Sequence, residues 1–190
     1  MRTPLLLLIS LAAAPAVTGQ TPAAAPAPAP TPSYRGFAPG ATYRDFAARA
    51  NALALRDTLK RTAQMLVCNT SKRTAELMEC GVIIRDPADS ARFYVSAYLL
   101  EGKVAMVALY DSAGFGDTRG PALVARAQRD LQRALGPGRP IRRGTWEWRY
   151  PAGRVVRLAW RSRGAARWIS ITLTDQQVMS GIRKYLPVRH

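Results

Sequence analysis

The chain has few of the side chains on which catalysis depends. Its one histidine is the final residue, His190, and only 12 of its 190 residues are aspartate or glutamate. Its two cysteines, Cys68 and Cys80, do not have the C-x-x-C spacing of a redox motif. A histidine-dependent triad or a His/Cys zinc site would have to rely on a chain end, where residues are usually poorly ordered. We therefore expect no catalytic residues, no metal site and no cofactor.

Long apolar runs are equally scarce. The one at residues 5–14 is shorter than the roughly 20 residues that span a bilayer. It follows the positively charged Arg2 and precedes small residues. This order predicts a cleaved signal peptide over residues 1–19. Because the segment holds no cysteine, a lipid-modified cysteine at its cleavage site is excluded. We expect a periplasmic or secreted protein whose mature chain has no transmembrane segment.

An alanine- and proline-rich stretch follows the predicted signal peptide. Proline fixes φ and supplies no N–H, so residues 20–35 are predicted to form a polyproline-like tether. The remainder, residues 36–190, fits one globular domain. In an oxidising compartment its isolated cysteine pair, Cys68 and Cys80, is predicted to form one disulfide.

Positive charge is concentrated towards the end of the chain, which carries a formal net charge of +16. Residues 139–190 contain 12 Lys/Arg and only 2 Asp/Glu, whereas residues 36–138 contain 14 and 10. Coding bias explains the preference for arginine over lysine more readily than it explains this shortage of acids. The excess therefore indicates an anionic partner. Because the protein is predicted to be exported, we do not expect nucleic acid to be this partner.

Periodicity predicts an α+β fold with helices packed on one face of an antiparallel sheet. Helices are predicted over residues 42–60 and 121–135, with a terminal helix over 175–186. Strands are predicted over residues 64–69, 76–84, 92–99, 103–110, 141–150, 154–161 and 166–173. A hairpin centred on Thr74 places Cys68 directly opposite Cys80, within reach of a disulfide.

The element order suggests two degenerate helix-plus-meander repeats, residues 36–112 and 113–175. This tandem order, with the glycine-bearing lead-in GFAPG at residues 36–40, resembles the β-lactamase inhibitory protein family. The unit is also similar to that of the small lipoproteins of outer-membrane assembly. The resemblance implies a four-stranded sheet in each repeat and a concave sheet surface that binds protein. The second half departs from that pattern, because only three strands are predicted in it.

Three short patterns contain residues that can take part in catalysis or ligand binding. Asp86 and Asp89 are close enough in sequence to hold a cation, although an ordinary turn is favoured. Residues 111–117 contain a G-x-G but lack the remaining residues of a phosphate-binding loop. Glu147 lies between two tryptophans, as in some glycan-processing sites, but has no partner carboxylate at a suitable spacing.

The last three predicted strands carry the clearest pattern for a binding surface. Alternation places Trp146 and Trp148 in the core and leaves a polar opposite surface. That surface is predicted to show Glu147, Arg149, Arg157, Arg161, Trp168, Ser170 and Thr172. A solvated sheet face is the simplest interpretation of these residues. The planar fork of arginine, however, suits carboxylate and phosphate.

We therefore predict a binding site formed by Arg149, Arg157, Arg161 and Trp168. The expected function is that of an exported, non-enzymatic binding or structural protein of the bacterial envelope. Its expected partner is an acidic envelope protein or an anionic glycolipid. The alternative is a cell-wall or glycan hydrolase that uses Glu147.

Overall fold

The structure is a computed structural model and describes residues 31–57, 62–63, 65–71, 74–113, 120–163 and 166–182. The predicted signal peptide, most of the tether, the G-x-G loop and His190 lie outside these residues. Of the helices within the described ranges, none is long and apolar enough to cross a membrane.

The described residues form three α-helices and ten strands, which confirms the predicted α+β class. The helices are α1 (Tyr43–Leu53), α2 (Gly120–Leu135) and α3 (Gln176–Ile182). The first six strands are β1 (Arg56–Asp57), β2 (Thr62–Ala63), β3 (Val67–Thr70), β4 (Leu77–Arg85), β5 (Arg92–Leu100) and β6 (Lys103–Ala113). The others are β7 (Arg139–Arg142), β8 (Thr145–Tyr150), β9 (Arg154–Arg163) and β10 (Ala166–Asp175).

Eight strands make one antiparallel sheet in the order β3-β4-β5-β6-β10-β9-β8-β7, while β1 and β2 pair separately. Each half of the large sheet is a four-stranded meander that follows a helix, α1 or α2. The last strands of the two meanders, β6 and β10, pair in the middle. The strand order is therefore symmetric about the β6–β10 pair.

The single strand predicted over residues 141–150 is two strands. β7 and β8 are joined by a tight turn in which Gly144 has a φ of +70° and accepts a 2.8 Å hydrogen bond from the Trp160 amide. Glycine adopts this left-handed conformation without a steric penalty. The second half thus contains four strands, and the prediction of three was wrong.

Helices α1 and α2 cover one face of the sheet. Phe46, Ala50 and Leu53 of α1, with Ala127 and Leu131 of α2, are buried in the main core. Burial of each large apolar side chain contributes about 1.5–3 kcal/mol. The strand residues in the same core include Val82, Ile84, Val95, Leu109, Leu158, Ile171 and Trp148. Trp146 packs against this cluster, so both tryptophans lie on the predicted side.

The first helix is shorter than predicted. Thr42 caps its start and accepts a 3.2 Å hydrogen bond from the Asp45 amide. The helix ends at Leu53 because the chain then pairs with the outer edge of β4, where the Leu55 amide donates a 2.8 Å bond to the carbonyl of Ile83. The end of the predicted helix, residues 58–60, lies outside the described residues.

The third helix packs on the opposite face of the sheet from α1 and α2. Its Ile182 lies in a separate cluster with Leu77 and Ala105. Leu77 alternates along β4 with Cys80 and Val82, which belong to the main core, so it points away from that core. The expectation that all helices share one face was wrong for α3.

The cap of α3 also differs from the predicted one. Asp175, and not Thr174, caps the helix: its carboxylate accepts hydrogen bonds from the amides of Gln177 and Val178 at 3.0 and 3.1 Å. Thr174 is still paired within the sheet. The predicted helix residues 183–186 lie outside the described residues.

Candidate binding face

The sheet surface turned away from α1 and α2 is continuous across both halves. In one row of directly opposed residues, Glu147 faces Arg157, Arg157 faces Thr172 and Thr172 faces Ala108. Opposed residues share a face, and alternate residues along each strand share it too. Helix α3 covers one end of this surface, over Leu77 and Ala105, and we call the rest of it the open face. Its central residues are Tyr94, Ser96, Tyr98, Met106, Ala108, Tyr110, Trp168, Ser170, Thr172, Val155, Arg157, Ala159, Arg161, Thr145, Glu147 and Arg149.

On the second half of the open face, two of the predicted binding arginines converge on Glu147. The Glu147 carboxylate accepts a 2.6 Å hydrogen bond from Arg149 and is held on its other oxygen by Nε and Nη2 of Arg157, with the Nε bond at 3.1 Å. The Glu147 side chain is 2% exposed, whereas those of Arg149 and Arg157 are 71% and 48% exposed. Glu147 was expected on the surface and is instead buried beneath its two arginines.

This pairing fixes the protonation of Glu147. Hydrogen bonds from Arg157 are the main influence and, with those from Arg149, outweigh burial and lower the pKa of Glu147 below its usual range. The residue is therefore a carboxylate at neutral pH and neutralises one of its two guanidinium groups. A glycosidase general acid needs the opposite, a raised pKa.

The surroundings of Glu147 give the hydrolase hypothesis no support. A cavity of about 260 Å³ opens beside it at the outer edge of β8. Its described lining residues are Leu135, Pro137, Arg139, Glu147, Trp148, Arg149 and Tyr150. Among them Glu147 is the one acid, whereas glycoside hydrolysis uses a pair of carboxylates.

The third predicted arginine, Arg161, has a different environment. It is exposed on β9 directly opposite the half-buried Trp168 of β10. No carboxylate of the described residues forms an ion pair with it, so its charge faces solvent. Arg161 lies four residues from Arg157, which corresponds to about 13 Å along the strand. The structure thus joins Arg161 to Trp168 and groups Arg149 with Arg157 on Glu147.

The first half of the open face carries a tyrosine cluster, which we define as Tyr94, Tyr98 and Tyr110. The rings of Tyr94 and Tyr110 stack with centroids 6.3 Å apart and planes inclined at 25°. Burial raises the pKa of Tyr110, and the charge of Arg161 acts in the opposite direction, so that charge reaches the cluster. No prediction from the sequence included this cluster, although the alternation of Tyr94 with the buried Val95 indicates it.

Small side chains line the sheet between the tyrosine cluster and the arginines. Ala108, Ala159 and Ser170 lie on the open face yet are buried. They belong to three neighbouring strands, β6, β9 and β10, and Ser170 lies directly opposite Ala159. The open face therefore has a central patch of small side chains, with the tyrosine cluster on one side and the arginines on the other.

The candidate cation site at Asp86 and Asp89 is filled by arginine. Arg35 donates hydrogen bonds of 2.6 Å to Asp86 and of 3.0 and 2.7 Å to Asp89, and Arg126 donates a further 2.9 Å bond to Asp89. The bonds from Arg35 are the main reason that the pKa of Asp89 falls to about 2. Within the described ranges, no three potential metal ligands cluster together. These carboxylates fasten Arg35, just before the glycine-bearing lead-in, to the domain.

The cysteines occupy the predicted register. Cys68 of β3 is directly opposite Cys80 of β4, and their Cα atoms are 4.1 Å apart, which places the two sulfurs at disulfide distance.

Comparisons with known proteins give no match to this chain, whether with protein-family models, with curated proteins or with solved structures.

Proposed function

We propose that this chain is an exported, non-enzymatic binding protein of the bacterial envelope, and that its open face binds an acidic protein. The observation that carries the proposal is the pairing of Arg161, a cation without a carboxylate partner among the described residues, with Trp168 beside the central patch of small side chains. Arginine, tryptophan and tyrosine are the residues most enriched at protein-binding hot spots. The open face combines all three.

Charge on this face favours an anionic partner. The group formed by Glu147, Arg149 and Arg157 carries a net charge of +1, and Arg161 adds another. Arg149 is mostly exposed and keeps free N–H donors, which can pair with a carboxylate in two parallel bonds. The open face is thus a surface on which carboxylates gain charge-assisted hydrogen bonds.

An acidic protein fits the open face better than a glycolipid headgroup. A phosphate cluster is best held by cations that converge on one point, whereas Arg161 stands about 13 Å from Arg157 along β9. That spacing suits carboxylates distributed along a polypeptide. The tyrosine cluster on the other side of the central patch adds apolar contact area. The resemblance to the β-lactamase inhibitory protein family, in which a sheet surface binds protein, supports the same choice.

Export is part of the proposal. Residues 1–19 have the order of a signal peptide, and a cysteine pair at disulfide distance is compatible with an oxidising compartment. N-terminal sequencing of the mature protein is expected to begin between residues 17 and 22. An intact N terminus in the cytoplasm would contradict export.

The binding test compares two double variants of the mature protein with the same change in charge. Arg149→Ala/Arg161→Ala removes charge from the open face but leaves Arg157 on the buried Glu147. The control, Arg44→Ala/Arg129→Ala, removes two exposed arginines from the helices α1 and α2.

The readout of this test is the set of acidic proteins that each variant captures from envelope extract at 0.1 M and 1 M salt. The wild type and the control are expected to capture the same proteins at low salt and to lose them at high salt, because the Debye length falls from about 10 to about 3 Å. The open-face variant is expected to capture these proteins at neither salt concentration. Equal capture by all three proteins would overturn the proposal.

A further inference from the structure

Two surface depressions flank Tyr94 on the first half of the open face. One, of about 450 Å³, is lined by Ile83, Arg92, Tyr94, Tyr110 and Asp111. The other, of about 530 Å³, is lined by Met65, Val67, Asn69, Glu79, Cys80, Gly81, Val82, Ile83 and Tyr94. Tyr94 lines both, so its ring forms the ridge between them.

The position of this ridge depends on a glycine. Gly81 lies on β4, on the same face as Tyr94, and a Cβ atom added to it would stand 2.5 Å from the Tyr94 hydroxyl oxygen. Such a distance is far inside van der Waals contact. The missing side chain at Gly81 therefore lets the end of the Tyr94 ring approach the backbone of β4.

Exposed apolar side chains concentrate around the second depression. Five large hydrophobic residues are strongly exposed in the described part of the chain, and three of them line this depression. They are Met65, Val67 and Tyr94, with 79%, 60% and 49% of their surface exposed. Single exposed hydrophobic residues need no explanation, but a contiguous group indicates a contact site.

We propose that the two depressions receive large apolar side chains of the acidic protein partner, and that Tyr94 determines the preference for such side chains. The inference rests on the proposed function for the class of partner. The first depression is lined by one cation, Arg92, and one acid, Asp111, and the second is lined by the acid Glu79. The charge of Arg161 also reaches Tyr110. Arg92 and Arg161 are therefore the groups that would hold carboxylates of the partner, next to the apolar residue that enters the first depression.

The charges also argue against a second copy of this chain as the occupant. Each copy carries a formal net charge of +16, and like charges brought together at an interface are repelled. The same positive charge attracts an acidic segment.

Fluorescence anisotropy with three short labelled peptides tests the inference on the mature protein at 0.1 M salt. The first peptide has a Phe-Leu pair flanked by glutamates, the second has Ser-Ser in place of Phe-Leu, and the third keeps Phe-Leu but has glutamine in place of glutamate. The first is expected to bind about tenfold more tightly than the second, since a buried large apolar side chain contributes at least that factor.

Three variants test whether the preference depends on Tyr94. Tyr94→Ala is expected to remove the advantage of the Phe-Leu peptide over the Ser-Ser peptide. Gly81→Val, which keeps Tyr94 but pushes its ring aside, is expected to reduce the same advantage. Tyr94→Phe retains the ring and is expected to keep this advantage.

The outcomes separate this inference from the proposed function. Equal binding of the first two peptides to the wild type, or an advantage that survives in Tyr94→Ala, overturns the inference about the depressions. Binding of the glutamine peptide as tight as that of the first peptide contradicts the acidic partner and leaves the apolar site standing. Displacement of the first peptide by vesicles of anionic phospholipid, in a Tyr94-dependent way, would show that a membrane is the occupant. That result would overturn the assignment of a protein segment to the depressions.

Discussion

Replacement of Arg35 by alanine is expected to destabilise the domain more than any other single arginine change in the described part of the chain. The Arg35 side chain is 10% exposed, bonds both Asp86 and Asp89, and places its guanidinium carbon 4.8 Å from the Phe93 ring centroid. Burial alone would lower the pKa of Arg35, but its hydrogen bonds to Asp89 and Asp86 outweigh this and raise it, so the residue is always charged. Its left-handed φ of +52° is costly for a non-glycine residue and is held by these contacts.

The magnitude follows from what the variant leaves behind. Loss of one partner of a buried ion pair costs about 3–5 kcal/mol. Asp86 would remain 90% buried without its cation, whereas Asp89 is more exposed and keeps Arg126. We therefore expect a loss near the lower limit, about 3 kcal/mol.

Urea unfolding followed by circular dichroism measures this loss. The midpoint of thermal unfolding should fall by about 6–12 °C, since each kcal/mol shifts it by about 2–4 °C in a domain of this size. The control is Arg44→Ala, at an exposed position of α1, which is expected to change stability by less than about 0.5 kcal/mol. Equal stability of the Arg35 and Arg44 variants would refute the role given to the buried contacts.

Three further predictions concern the other charged and covalent links. The pKa of Asp89, about 2 when folded against 3.8 ordinarily, means that this residue contributes stability above about pH 4 and loses it as the pH falls towards 2. After allowance for solvent screening at this exposed residue the contribution is about 1 kcal/mol. In Asp89→Asn, the free energy of unfolding measured with urea should therefore fall by about 1 kcal/mol less than in the wild type as the pH is lowered. Reduction of the Cys68–Cys80 pair should cost about 3 kcal/mol, and two free thiols in non-reducing mass spectrometry of exported protein would contradict the pairing. Glu147→Gln should release Arg149 and tighten binding of the acidic Phe-Leu peptide several-fold, whereas weaker or unchanged binding would contradict the balance of charges proposed for the open face.

Local patterns were sufficient to predict the β3–β4 and β5–β6 hairpins. The polar turn around Thr74 fixed the register that brings Cys68 opposite Cys80, and Glu101-Gly102 marked the turn between β5 and β6. Alternation also placed Trp148 in the core. Each of these features depends on residues close together in sequence, so a single chain contains the signal.

The features that were missed depend on contacts between distant segments. The first helix stops at Leu53 because the following residues pair with β4, about 30 positions later in the chain. Glu147 was expected to be exposed because its two arginines are recognised as partners only once Arg157 is placed opposite it in the sheet. The bonds from Arg35 to Asp86 join residues 51 positions apart, and no local pattern predicts them.

The turn at Gly144 was missed for a different reason. A lone glycine within the apolar and basic run of residues 141–150 was interpreted as part of one strand. Its positive φ reverses the chain and adds the fourth strand of the second half. A glycine inside a strand pattern is a recognised sign of a local break, so this signal was present in the sequence.

The most direct test of the binding role of the open face is a map of where an acidic peptide contacts the protein. Backbone amide shifts of the mature protein, recorded with the glutamate-flanked Phe-Leu peptide, are expected to change on β5, β6, β9 and β10, around Tyr94, Arg161 and Trp168. The changes should shrink as salt rises from 0.1 M to 1 M. Changes confined to α1 and α2, or changes that are the same at both salt concentrations, would contradict the account.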